Sequence, residues 1–187
     1  MDTVDDILLE SEDKMDKATE FLQQEFAGVR TGKASPSLVE NIQVDYYGAS
    51  TRIKELASIA TPEPRLIVIN PFDPSSLPGI EKAILAANVG VTPMNDGRVI
   101  RVPIPELSEE RRKELLKVAK RMTEDQRVAI RNIRREANDQ IKDLQKNGKI
   151  SEDERDGGLE EIQSFTDKHI KTIDDLLAAK EAEVMAV

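Results

Sequence analysis

The sequence contains no cysteine, no tryptophan and only one histidine. Without cysteine there is neither a disulfide framework nor a thiol nucleophile, and this usage is typical of proteins from a reducing compartment. The single histidine, His169, has no cysteine or second histidine with which to share a metal ion. We therefore expect it to border the core without a catalytic role, and we expect no metal site and no cofactor.

Long apolar runs are also missing. No segment approaches the roughly 20 apolar residues that a membrane-spanning helix requires. The acidic start, MDTVDDILLESEDK, is neither a secretory signal nor a basic transit peptide. We expect a cytoplasmic protein without a membrane partner. Aromatic residues make up only 3% of the 187 residues, so any core must rest on Leu, Ile, Val, Ala and Met.

The 27 basic residues are outnumbered by 36 acidic residues, but they are concentrated in one segment. The formal net charge is −9. Residues 1–26 contain two basic and nine acidic residues, and residues 136–187 contain seven and fourteen, which gives −7 for each segment. Residues 105–135 contain ten basic and six acidic residues, which gives +4. Because charge distribution matters more than its sum, this block favours a negatively charged partner. The residues alone do not distinguish a binding surface from an ordinary solvent-exposed helix face that has no partner.

The positive block belongs to a predicted helix over residues 108–145. Its basic residues are spaced by three, four or seven, which places them on one helical face, interrupted by Glu124. They are Lys113, Lys117, Lys120, Arg127, Arg131 and Arg134. The apolar residues follow the same period on the other side. They are Leu116, Ala119, Met122, Ala129, Ile130, Ile133, Ala137, Ile141 and Leu144.

Two further segments are predicted to be long helices. Leu8, Met15 and Leu22 recur at helical spacing within residues 3–29, and Phe21 widens this apolar stripe. A capping box, Ser151–Glu154, opens the third helix. Two consecutive glycines at 157–158 predict fraying there, because each costs about 1 kcal/mol in a helix. Single helices of this length are marginal in water, so the three must pack together.

The segment between the first two helices has short β-type patterns. Strands are predicted at 42–46, 66–69 and 98–102, and a short helix at 78–87 that stops at Gly90. The chain therefore predicts an α+β fold. It combines an antiparallel three-helix bundle (1–31 and 106–187) with a small, mostly β, inserted α/β domain (32–105). Two connections join these domains and form a predicted hinge at Arg30, Thr31, Gly32, Pro103, Ile104 and Pro105.

Several motifs together resemble the ribosome recycling factor family in order and spacing. They are RTGKASPS (30–37), YYG (46–48), IRVPIP (100–105), EERRK (109–113), RNIRR (131–135) and KEAE (180–183). The resemblance covers essentially the whole chain. It implies an L-shaped molecule similar to transfer RNA. It also implies a factor that is not itself an enzyme and that, with elongation factor G and GTP, splits post-termination ribosomes into subunits.

The same resemblance implies that the bundle contacts large-subunit ribosomal RNA. The matching motif places Arg131, Arg134 and Arg135 at this contact, with Arg134 ranked first. Arg30 and Lys33 match basic residues at the corner between the domains, although position 33 is frequently arginine in the family. We add Arg127, Lys113, Lys117 and Lys120 as further candidates from the helical face. A charge-assisted, often bidentate bond between arginine and phosphate supports these assignments.

Two other classes of protein remain as alternatives. In a coiled-coil adaptor or structural protein the helices would associate between chains, and the protein would be a dimer instead of the monomer that we expect. A hydrolase with a carboxylate site in the inserted domain is the weaker alternative, because that segment has few acidic residues and no histidine.

Overall fold

The computed structural model describes residues 3–29 and 31–186. These residues form an α+β fold, which confirms the predicted class. In chain order, the helices and strands are α1 (Val4–Ala27), β1 (Gln43–Tyr46), β2 (Ala49–Arg52), α2 (Ile53–Leu56), β3 (Ala57–Glu63), β4 (Leu66–Pro71), α3 (Leu77–Ala87), β5 (Met94–Asn95), β6 (Ile100–Pro103), α4 (Glu109–Lys146) and α5 (Glu152–Met185).

The chain divides into two compact units. The helices α1, α4 and α5 form one unit, and Thr31–Ser108 form the other. Each helix of the first unit has a capping or terminating residue at one of its ends. The Thr3 hydroxyl caps α1 by accepting from the Asp6 amide, and Ser151 and Glu154 form the predicted capping box of α5. Gly148, at φ +68°, follows the end of α4.

The bundle core takes side chains from all three helices. One apolar cluster includes Ile7, Ile141 and Ile162, and a second includes Met15, Ile130 and Ile173. Two ion pairs show the relative direction of α4 and α5. Lys120 contacts Glu181, and Arg127, further along α4, contacts Asp174, which comes earlier in α5. The two helices are therefore antiparallel.

The core differs from the predicted apolar stripes at several positions. Leu115 is buried and Leu116 only partly buried, while Phe21 is 50% exposed because it falls beside the stripe of α1. Thr123 is fully buried, and its hydroxyl donates to the Ala119 carbonyl at 2.8 Å, so that its burial leaves no unpaired polar atom.

His169 borders the core, as expected. It is 3% exposed. Its Nδ1 lies 2.6 Å from the Phe165 carbonyl oxygen, and its Nε2 lies 2.7 Å from a carboxylate oxygen of Asp16. Both ring nitrogens are thus engaged, and the bond to Asp16 ties α5 to α1.

The two glycines of α5 do not interrupt the helix, and they have different surroundings. A Cβ at Gly158 would lie 2.9 Å from Val4 Cγ1 and 3.2 Å from Ile141 Cδ1, whereas a Cβ at Gly157 would meet nothing within 4 Å. Gly158 is buried where the three helices approach one another. The expected fraying is therefore wrong, because close packing offsets the low helix propensity of glycine.

Alanine substitutions at these glycines should have opposite effects on stability. Gly157→Ala should raise the free energy of unfolding by about 0.5–1 kcal/mol through helix propensity. Gly158→Ala should lower it by about 1–2 kcal/mol, because the new methyl group forces Val4 or Ile141 to shift. Urea unfolding followed by circular dichroism measures both. Equal shifts of the two variants in the same direction would contradict the packing role of Gly158.

The second unit is built on two antiparallel sheets. β1 and β2 form a hairpin, and the larger sheet has the strand order β3–β4–β6–β5. Ile67 pairs with Val102 and Ile69 with Ile100 across β4 and β6. These four side chains are fully buried and share a core with residues of α3, including Ile80 and Ile84.

The predicted strands and helix of this unit are present, with shifted ends. α3 begins at Leu77 and ends at Ala87, where the left-handed conformation of the capping residue Asn88, at φ +48°, closes the helix before Gly90. β2, α2, β3 and β5 were not predicted from the sequence.

Of the predicted hinge residues on the return connection, one lies in the sheet and the next is hydrogen-bonded to the turn between β3 and β4. Pro103 is the last residue of β6, and the Ile104 amide donates to the Arg65 carbonyl at 2.8 Å. On the outgoing connection Thr31 is buried, and Gly32 has φ +71°. Arg30 lies outside the described residues. The hinge assignment stays a prediction. Pro105 is the first predicted hinge residue on the return connection that follows these backbone hydrogen bonds.

Candidate nucleic-acid interface

The candidate interface is the basic face of α4. Helical geometry turns Lys113, Lys117, Lys120 and Arg131 to solvent, whereas Arg127 is partly buried beside α5. The core residues Ala119, Ile130 and Ala137 lie on the opposite side of α4. The amphipathic arrangement predicted from the spacing is therefore present. Its basic residues fall into two groups, those that are ion-paired with an acidic side chain and those that are not.

Arg127 belongs to the paired group. Its Nη2 and Nε donate to Asp174 Oδ1 at 2.6 and 3.0 Å, and its Nη1 donates to Glu124 Oε2 at 3.1 Å. The bond to Asp174 is the main cause that raises the Arg127 pKa. Because only 23% of its side chain is exposed, Arg127 chiefly holds α4 against α5.

Arg131 is also paired, but on the surface. Its Nη1 donates to Glu124 Oε1 at 3.1 Å, and 44% of its side chain is exposed. Glu124 therefore contacts two arginines at once. These bonds, first that from Arg127 and then that from Arg131, lower the pKa of the Glu124 carboxyl. The acidic interruption in the basic face is thus an ion-pair centre.

The three lysines differ in their partners. Lys113 pairs with Glu109 at 2.9 Å, and Lys120 reaches Glu181 at 3.8 Å. Both lysines are well exposed, and such surface pairs contribute about 0–1 kcal/mol. Lys117 has no ion pair within the described part of the chain.

Arg134 and Arg135 form the second group. In the described ranges 3–29 and 31–186 neither guanidinium makes an ion pair or a side-chain hydrogen bond. Arg135 is exposed and Arg134 is partly buried. Arginine presents a planar fork of donors that suits the oxygens of a phosphate. These two guanidiniums are therefore available to an external anion without breaking an internal bond.

Two further cations of α4 were missed in the sequence analysis. Arg121 and Lys142 are exposed and, among the residues that the structure describes, unpaired. The signal was present in the sequence, since Lys142 follows Arg135 by seven residues and Arg121 follows Lys117 by four. Lys33, in the inserted unit, is also exposed and lacks an ion pair there, and Arg30 lies outside the described residues.

The arrangement can bind an extended polyanion. Within residues 3–29 and 31–186, no group of three or more histidine or acidic side chains is placed to hold a metal ion. No helix in the same ranges is long and apolar enough to cross a membrane.

Comparison with known proteins decides the family. The family described as "Ribosome recycling factor" matches residues 22–185. The chain belongs to the ribosome recycling factor family. A ribosome-recycling factor of Carboxydothermus hydrogenoformans is 55% identical over 184 residues, covering 98% of this chain and 100% of that protein. A second ribosome-recycling factor, from Geobacillus sp., is 53% identical with the same coverage.

Solved structures of the family agree in fold. A solution structure of the ribosome recycling factor has a TM-score of 0.79 at 46% identity and covers 98% of each chain. A second match has a TM-score of 0.65 at 41% identity, covering 98% of this chain and 100% of the other. That structure is the T. thermophilus ribosome recycling factor, with E. coli elongation factor G, bound to the E. coli post-termination complex. The resemblance predicted from the sequence motifs is confirmed, and the coiled-coil adaptor is not favoured.

Proposed function

We propose that this protein recycles ribosomes. It binds the post-termination ribosome and, together with elongation factor G and GTP hydrolysis, separates the two subunits so that messenger and transfer RNA are released. The protein acts by binding, and the hydrolysis of GTP belongs to its partner. We further propose that it works as a cytoplasmic monomer.

The unpaired guanidiniums of Arg134 and Arg135 support this proposal most directly. They lie on a helix whose neighbouring arginines, Arg127 and Arg131, are ion-paired, in a chain whose first and last segments are strongly acidic. RNA duplexes present phosphates and ribose hydroxyls while their deep major groove is closed to side chains. A long helix with spaced arginines can follow such a backbone without reading its sequence. We assign the bundle, through Arg131, Arg134 and Arg135, to large-subunit ribosomal RNA.

A ribosome-splitting assay tests this function. Post-termination ribosomes mixed with this protein, elongation factor G and GTP should lose light-scattering intensity as the subunits separate. Omitting this protein, omitting elongation factor G or replacing GTP with a non-hydrolysable analogue should each abolish the rapid loss. Splitting that is equally fast without this protein would contradict the proposal.

A further inference from the structure

Glu124 occupies the centre of the candidate RNA-binding face although its charge opposes RNA. Its Oε1 accepts from Arg131 and its Oε2 from Arg127, each at 3.1 Å. The carboxylate is itself half exposed, at 51% of its side chain. An RNA phosphate that approaches Arg131 therefore meets a guanidinium that is already bonded to a carboxylate, and it also meets the negative charge of that carboxylate.

The two arginines depend on Glu124 to different degrees. Arg127 keeps its two bonds to Asp174 whether or not Glu124 is present. Arg131 has no partner other than Glu124 among the described residues. Displacing the carboxylate thus frees Arg131 completely and leaves the link between α4 and α5 in place.

On the basis of the proposed function, we infer that Glu124 limits how tightly the protein holds RNA, by competing with RNA phosphates for Arg131. Arg134 and Arg135, which have no ion-pair partner among the described residues, bind first. Arg131 contributes only where an RNA phosphate is positioned well enough to replace the carboxylate. A factor that must leave the ribosome after each round benefits when the strength of its RNA contact is limited in this way.

The matched control for this inference is the neighbouring residue. Asp125 is exposed on the same turn of α4 and, within the described chain, pairs with no arginine. Asp125→Asn removes the same unit of charge as Glu124→Gln. Only Glu124→Gln takes a carboxylate away from Arg131, and it preserves the size of the side chain. The comparison therefore separates competition for Arg131 from a general change in net charge.

The experiment measures the affinity of each variant for isolated large ribosomal subunits over a series of salt concentrations. Glu124→Gln should bind about three- to fivefold more tightly, the scale of losing one exposed ion pair. Its plot of log affinity against log salt should steepen by about one unit, as for one added phosphate contact. Asp125→Asn should follow the wild-type protein. In an Arg131→Ala background, Glu124→Gln should have no effect.

Several results would overturn the inference. They are unchanged or weaker binding by correctly folded Glu124→Gln, an equal gain from Asp125→Asn, or a gain that persists without Arg131. A gain on an unrelated RNA duplex but not on large subunits would also overturn it, since Glu124 would then not face ribosomal RNA. Thermal unfolding verifies folding, and Glu124→Ala replaces the glutamine variant if that variant is unfolded. Failure of the wild-type protein to bind large subunits would instead count against the proposed function.

Discussion

Replacing Arg134 with alanine is expected to weaken binding to large ribosomal subunits by about 1.5–3 kcal/mol, the scale of a hydrogen bond to a charged group. This corresponds to roughly a tenfold to 150-fold increase in Kd. Because the Arg134 guanidinium has no ion-pair partner in the described chain, its removal breaks no bond that holds the fold. The variant should therefore keep its helicity and its unfolding temperature. Equilibrium binding to purified subunits and circular dichroism measure the two effects.

The control for Arg134→Ala is Arg98→Ala in the inserted unit. Arg98 is exposed, and its side chain makes no ion pair in the part of the chain that the structure describes. Both substitutions change the net charge equally, but only one lies on the basic face of α4. Equal weakening by both would mean that general charge, and not a contact at Arg134, determines affinity. Full affinity of Arg134→Ala would remove Arg134 from the interface.

The three long helices could be predicted from the sequence because their determinants are local. Side-chain periodicity locates the buried face, and residues within four positions supply the caps, as at Ser151 and Glu154. The strands were harder to predict. β3 alternates poorly, and only its first residue, Ala57, is buried. β5 has two residues and exists through its pairing with β6. Such strands are set by partners that are distant in sequence.

The basic residues of the candidate site could be listed from the sequence, but their ion pairs could not. Spacing alone gives Arg127, Arg131 and Arg134 the same status. The structure separates them because Asp174, which is 47 residues from Arg127 in the chain, lies beside it in the folded bundle. Likewise, no local rule distinguishes Gly157 from Gly158, since the neighbours Val4 and Ile141 come from other helices. Tertiary packing therefore pairs Arg127, whereas Arg131 is paired by Glu124 of its own helix.

Replacing Gly32 with alanine should slow ribosome splitting more than it weakens initial binding. Gly32 has φ +71°, and a Cβ there would lie 3.1 Å from Leu107 Cγ, on the returning connection. The left-handed conformation costs a non-glycine residue about 1–2 kcal/mol. The added methyl group also pushes against the second chain segment of the proposed hinge. Single-turnover splitting with elongation factor G, and binding to ribosomes without it, measure the two steps.

The control variant Gly97→Ala separates the two effects expected of Gly32→Ala, which are backbone strain and the contact with Leu107. Gly97 also has a positive φ, at +88°, but a Cβ there would meet nothing within 4 Å. This variant therefore carries the conformational strain without a contact between the two connections. If the proposed hinge requires Gly32 to pass close to Leu107, Gly97→Ala splits ribosomes at the wild-type rate and Gly32→Ala does not. Equal loss of binding and splitting in Gly32→Ala would indicate general unfolding of the inserted unit, and the hinge assignment would then lose its support.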